Sequence, residues 1–555
     1  MKVFVSLLAF GILFLPGKNV YSQKLNKPVP TDSSAIKVIN AGSLAKRIQV
    51  LASDDFMGRK PFTAGETKTI NYLKDQFQQM GLKPGNGNSY FQDVPMVDIA
   101  SKAAGPLIIK GKNGTLSLNP LEDFTATTRH VQNQVQVNNS EMVFAGFGIV
   151  APEYNWNDYA GLDVKGKTVV VMVNDPGFYD SKLFKGKNMT YYGRWTYKYE
   201  EAARQGAAAL LIIHDTAPAS YPWTVVRNSG SKSKLYLQTA DNGKSRALLE
   251  GWITQESTHK LFKLAGISEE VIESAKKRGF KAVSLGLDAS LTLNVTTKKS
   301  TSHNVVAVLP GTKRAGEYLI FSAHWDHFGI GEAIKGDSIY NGAVDNATGT
   351  AGLLTLAEAF SKLKTRPERS LMFLAVTSEE QGLLGSEYYT THPIVPLKQT
   401  VADINMDVLN TYSRTKDLVV VGYGQSEMDD YAKRAAAKQG RVITPEPDPS
   451  GGWYYRSDHF NFAKVGVPSL YPEAGVDAIG HGAAWGKAKT ADYTKNRYHS
   501  PFDEYDPKTW VFSGMVEDVR LLFDVGTTLA NEAVFPKWKA GSEFKAIREK
   551  YRSEK

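Results

Sequence analysis

The sequence predicts an α/β protein: a mixed, mostly parallel sheet with flanking helices, interrupted by an inserted β-rich region. Three observations carry this reading. From Asn304 onward, short β-branched runs alternate with helical runs, the order that builds parallel sheets. Residues 142–176 break that rhythm with two β-branched runs around a turn-rich loop. Acids and histidines then recur just after the apolar runs of the later region, where open α/β sheets place their ligands.

The elements follow in order. Residues 1–22 open with Lys2, continue through an apolar run from Val3 to Leu15, break at Pro16-Gly17 and end in Val20-Tyr21-Ser22. This is the pattern of an export signal, with cleavage expected after Ser22. The apolar run is shorter than the ~17–25 residues of a spanning helix, so stable membrane insertion is not expected. From Ile36 to Gly81, Ala45, Ile48, Leu51, Ile70, Leu73, Phe77 and Met80 recur at helical spacing, and Gly81 stops the second helix. In the middle, Val164-Lys165-Gly166-Lys167 turns between two strands, a helix covers Tyr199–Gln205, and AAALLIIHD is a buried strand. After Asn304 come NVVAVLPG and EYLIFSAHWDH as strands, TGTAGLLTLAEAFSKL as a helix and RSLMFLAVTSEE as a buried strand. GLLGSEYYTTH is a helix, and QTVADINMDVL and DLVVVG are further strands.

Composition narrows the function classes. The 555 residues allow two to four domains. With 42% hydrophobic and 22% charged residues, wholesale disorder is excluded. The net charge of +9 is spread along the chain. Its densest cluster, Lys276-Lys277-Arg278, reads as a solvated helix face, and no basic stripe with aromatics suggests nucleic acid. Cysteine is absent, which excludes disulfides, a thiol nucleophile and thiolate zinc sites, so any metal must rest on His, Asp and Glu.

Those residue types gather at strand ends. His324, Asp326 and His327 follow one strand, Asp345 lies in GAVDNATG before a helix, and Glu379-Glu380 follow another strand. Asp407 closes INMD, and YHSPFDE carries Tyr498, His499 and Asp503. Adjacent carboxylates after an apolar strand are unfavourable unless cations or protons offset their repulsion. Three carboxylates and two imidazoles suit a pair of divalent ions with one bridging acid, leaving one Glu as general base. His327 reads here as a pocket or surface group, and His459 as structural. His130, His214, His259, His303, His392 and His481 carry no clear chemical signal. The Asn346-Ala347-Thr348 sequon sits inside the motif and is read as accidental.

The ordered set AHWDH, GAVDNATG, TSEEQGLLGS, INMD and YHSPFDE resembles the M28 family of zinc exopeptidases. LASDDFMGRKPFTAGE resembles that family's opening segment, and FAGFG…APEYNWNDYAGLDVKGK resembles a protease-associated domain. The resemblance implies the zinc-exopeptidase fold: a signal at 1–22, a discontinuous catalytic domain at 23–124 and 291–555, and a protease-associated-like insert at 125–290. It implies two zinc ions, with His324 and Asp407 on one, Glu380 and His499 on the other, and Asp345 bridging. Glu379 is then the general base, Asp326 orients the His324 imidazole, and Tyr498 donates to the oxyanion. The function it implies is exported, periplasmic or secreted, with peptide substrates cut at the N-terminus. A carboxypeptidase or dipeptidase stays open, because Arg456 and Arg497 lie near the motifs. A single-zinc glutaminyl cyclase and a non-catalytic receptor-like relative are less well matched by the complete ligand set. Oligomeric state is not readable.

Overall fold

The computed structural model describes residues 33–553, so the expected export segment lies outside the described residues. Two N-terminal helices pack under the sheet. Ala41–Leu51 starts at Asn40, whose side chain accepts from the Ser43 amide while Ser43 answers the Asn40 amide, a reciprocal cap that satisfies two orphan donors. Ala64–Gln79 starts at Thr63, buries Ile70, Leu73 and Phe77 on one face, and ends where Gly81 takes a φ of 74°. Phe77 packs on Phe373, and Arg47 pairs with Glu358, so these helices cover one face of the later sheet.

That sheet is built from β1 (Val283–Leu309), β2 (Arg314–His324), β3 (Arg369–Val376), β4 (Thr400–Asn405) and β5 (Ser469–Leu470), in the spatial order β5-β4-β2-β3-β1. Neighbours from β5 to β3 run parallel, and only β1 runs against them. β3 and β4 are buried along their whole length, as in a strand covered on both faces; β3 is apolar from Leu371 to Val376, whereas β4 carries the buried Asp403, which accepts the Ser322 hydroxyl at 2.7 Å. Thr348–Ser361, the crossover helix between β2 and β3, is buried nearly all round because it sits between the sheet and the helix Phe512–Asn531. DLVVVG forms a strand at Asp417–Val420, but in a separate three-stranded sheet. Among the described residues no helix is long and apolar enough to cross a membrane.

β1 is 27 residues long, and its first half belongs to a second region. There it pairs with Gln134–Phe144, beyond which Thr168–Met172, Ala209–His214 and Leu249–Thr254 run parallel to one another. A second hydrophobic core, from Val97 to Val295 with Phe144, Phe262 and Leu293, fills this region. The limits expected at 125 and 290 fall inside the strands Phe124–Thr127 and β1. The second core begins earlier, because Phe91–Ala103 leaves the first region paired with β1 along its whole length.

Candidate metal centre

The parallel strands β2, β3 and β4 end on the same side of the sheet and deliver His324, Glu379-Glu380 and Asp407 to one place. His324 Nε2 lies 3.2 Å from Asp407 Oδ1 and 3.3 Å from Asp345 Oδ1. The other oxygen of Asp345, Oδ2, lies 3.3 Å from His499 Nε2, which is also 3.2 Å from Glu380 Oε2. One carboxylate thus faces two imidazoles, each of which has its own second acid. All five sequence-predicted ligands meet here. His324, Asp345 and Asp407 are buried, while His499 is partly open to solvent.

The arrangement fits cations. Burial pushes the Asp345 carboxyl up, but the two facing imidazoles hold it below the usual range. Burial and the neighbouring Asp407 and Glu380 charges push Glu379 well up despite the opposing pull of His324. Burial also lowers His324 and His499, yet their acid neighbours raise both, His499 to about 10. Two sets of donor atoms lie within 4.8 Å of one another: His324, Glu379 and Asp407, and His327, Asp345 and Glu380. Carboxylates and imidazoles in this number suit two divalent ions sharing Asp345.

The supporting contacts differ in detail from the sequence expectation. Asp326 was expected to orient His324 through its carboxylate, but that oxygen is 3.8 Å from Nδ1. Instead the Asp326 backbone carbonyl faces His324 Nδ1 at 3.2 Å, and its carboxylate accepts the Glu379 amide at 3.0 Å. Tyr498 stacks on His499 with ring centroids 3.7 Å apart and remains exposed at 39%. Burial and the nearby Asp345, Glu380 and Glu379 charges raise its phenol, so it holds its proton.

Four residues that the sequence reading gave no role at the centre contribute to it, two of them, His327 and Asp503, already named in its motifs. His327 is buried, and its Nδ1 lies 2.6 Å from Glu380 Oε1, on the side opposite His499. Asp503 accepts the amides of Val344 and Asp345, both at 3.0 Å, and so fixes the loop that carries the shared acid. Ser457 donates to Asp407 Oδ2 at 2.7 Å. Arg59 is fully buried and donates to the carbonyls of Leu51, Trp325, Asn341 and Gly342 at 2.6–2.8 Å. It ties the loop after β2 to the loop before Asp345. The motif AHWDH signalled His327, but the others are set by contacts between segments far apart in sequence.

Other expectations find ordinary places. His459 lies between the rings of Tyr454 and Tyr471, His481 stacks on Trp485, and His303 pairs with Glu66. Asn346 is buried and ties its loop to Met406, which fits its reading as an accidental sequon.

A mixed α/β sheet with a shared acid between two imidazoles at its strand ends defines a protein class built around a divalent-metal centre. Residues 304–523 match Peptidase family M28, and the chain carries a domain of that family there. It is 27% identical over 235 residues to aminopeptidase YwaD of Bacillus subtilis (strain 168), covering 42% of this chain and 46% of the relative. It is 27% identical over 232 residues to aminopeptidase NAALADL1 of Mus musculus, covering 37% and 28%. The chain therefore spans under half the length of these curated relatives. Among solved structures, an aminopeptidase from Aneurinibacillus sp. strain AM-1 is similar at a TM-score of 0.48 and 19% identity, covering 90% of this chain and 96% of that one.

Proposed function

We propose that this chain is an exported di-zinc exopeptidase that removes N-terminal residues from peptides. The observation that carries the reading is the divergence of the two Asp345 oxygens toward His324 and His499. His324 and Asp407 would hold one ion, Glu380 and His499 the other, and Asp345 both. Such ions, when bound, lower the pKa of a water and polarise a carbonyl. The relatives named above are aminopeptidases, which supports the reaction class.

The chain's own residues do the rest. Glu379 accepts a proton from the attacking water as the new C–O bond forms. It returns that proton to the amine nitrogen as the C–N bond breaks. Asp326 fixes the Glu379 backbone and so its reach. Tyr498 keeps its proton and can donate it as a hydrogen bond to the developing oxyanion. Glu473 lies close enough to Asp407 to be pushed up by burial and by that charge, to about 7. A substrate ammonium beside Glu473 would favour its charged form. The region carrying the second core acts as a protease-associated-like insert that shapes the cleft, and residues 1–22 direct the chain to the periplasm or outside.

Elemental analysis of purified protein tests the centre. Two zinc equivalents per chain are expected, with loss of hydrolysis of aminoacyl-anilides on chelation and recovery on adding zinc. Full activity in metal-free protein would sink the reading. N-terminal sequencing of exported protein should begin at Gln23.

A further inference from the structure

Three imidazoles approach the acids of the candidate centre, and one of them stands at a different distance from the other two. Two atoms bound at about 2.0–2.1 Å to one tetrahedral zinc ion lie about 3.3–3.4 Å from each other. The pairs that His324 makes with Asp345 and Asp407, and His499 with Asp345 and Glu380, measure 3.2–3.3 Å. They suit atoms that share an ion. His327 Nδ1 is 2.6 Å from Glu380 Oε1, too close for a shared ion and in keeping with a short hydrogen bond to a carboxylate. An ionised carboxylate only accepts, so the ring donates from Nδ1.

The ring is held in that place from several sides. His327 is fully buried, and it lies against Gly342, where a Cβ would stand 2.5 Å from its Cγ and Cδ2. Phe328 meets it edge-on, with ring centroids 4.9 Å apart. Arg59 donates to the carbonyls of Trp325 and Gly342 and so fixes the backbone on both sides of the ring. Nε2 is buried without a partner, so the Glu380 contact is the ring's only hydrogen bond among the described residues. The orphan nitrogen costs stability that an apolar side chain would not, and only the Nδ1 contact stands against that cost. Asp407 is treated alike: Ser457 donates to its Oδ2, while Oδ1 faces His324. Each of these two acids turns one oxygen to an imidazole of the centre and has the other held from behind.

We propose that His327 is a positioning residue for the second ion: by holding Glu380 Oε1, it aims Oε2 alone at the place shared with Asp345 and His499. The proposal rests on the two-ion reading above. The second ion then meets three protein atoms, Asp345 Oδ2, Glu380 Oε2 and His499 Nε2, and keeps a fourth place for water or substrate. The closeness of His327 to Asp345 and Glu380 thus reflects a donor behind the acid, not a third imidazole on the ion.

A crystal structure of the zinc-loaded wild type reads the contact directly and needs no variant to fold. His327 Nδ1 should remain within hydrogen-bond distance of Glu380 Oε1, with Oε2 alone on the ion. His327 on the ion, or both Glu380 oxygens on it, overturns the proposal. Calorimetric zinc titration of the metal-free protein measures what the contact contributes. His327→Leu should weaken one of the two sites by roughly 10–100-fold, the scale of losing a group that orients a metal ligand, and leave the other unchanged. His327→Asn, whose amide N–H can stand near the Nδ1 position, should recover most of that loss. Unchanged affinity in His327→Leu overturns the proposal. So do equal losses in both variants, which would make the packing of the ring responsible and not its N–H. Both readouts stand without turnover. Two-site zinc binding with the His327 effect intact, but no hydrolysis of aminoacyl-anilides, overturns the peptidase reading alone. A wild type that takes up one ion only, on His324 and Asp407, overturns both.

Discussion

Glu379 and Glu380 are neighbours in the chain with different surroundings. Glu380 lies between His327 and His499, whereas Glu379 faces His324 and Asp407 and has its amide held by Asp326. Glu379→Gln is expected to keep both zinc equivalents and to lose ~10²–10⁴-fold in turnover, the scale of a general acid–base group. Glu380→Gln should lose about one equivalent as well. Elemental analysis beside initial rates separates the two, and equal metal loss in both variants would reverse the roles. Arg59 makes a second residue-scale prediction. Arg59→Met leaves four buried carbonyls without their donor, each worth about 1–3 kcal/mol when unsatisfied. Denaturant unfolding should show a loss of several kcal/mol, and zinc should bind more weakly because both strand-end loops lose their tie. The five ligand candidates were legible in the sequence because each follows an apolar strand or lies in a short motif. Arg59 was not, since its partners Trp325 and Gly342 lie 266 and 283 residues away. No local pattern distinguishes it from a surface arginine.

Among the elements, the helix Ala64–Gln79 is fixed to β1 by more than apolar packing. Glu66 is buried and receives the Ser302 hydroxyl and the His303 ring, each at 2.9 Å. The hydrogen bond to Glu66 raises His303 above its ordinary value against burial, and Asp93 at 3.6 Å adds to it. A histidine with a raised folded pKa contributes stability that is fully present below its unfolded value of about 6.5. That contribution is lost as pH rises through the folded value. His303→Gln should therefore lower the melting temperature more at pH 6 than at pH 9, and a constant difference across that range would refute the linkage. The alternation of strands and helices after Asn304 was readable because β3 and the helix Thr348–Ser361 are buried for most of their length and are largely apolar. The limits of the second region were not readable in the same way. β1 runs unbroken through both cores, so no turn residue marks the passage from one to the other.

At the scale of the whole molecule, the second region is attached at several places, among them a small apolar cluster of Leu235 and Leu237 with Leu384 and Tyr388, and two contacts are the most extended. One is the antiparallel ribbon of Phe91–Ala103 with β1. The other is a docking surface where Met189 packs with Tyr454, Tyr455 and Phe460, flanked by Lys185–Glu543 at 2.7 Å and Lys464–Glu200 at 2.6 Å. Glu543 is almost wholly buried, so removing its lysine leaves a charge that water solvates poorly. The pair Lys185→Met and Lys464→Met should speed hydrogen exchange across residues 189–197. Unchanged exchange there would mean that apolar packing alone holds the contact.

The long shared strand also dictates an order of assembly. Helices Ala41–Leu51 and Ala64–Gln79 are synthesised early, yet Phe77 packs on Phe373 and Arg47 pairs with Glu358, roughly 300 residues later. The second core closes as soon as Val295 is available. A chain emerging at ~5–20 residues per second would thus complete its middle first and leave its leading helices without their partners for roughly 15–60 s. During that interval the apolar faces of those helices are exposed, and a chain that crosses a membrane before folding would bring that interval with it.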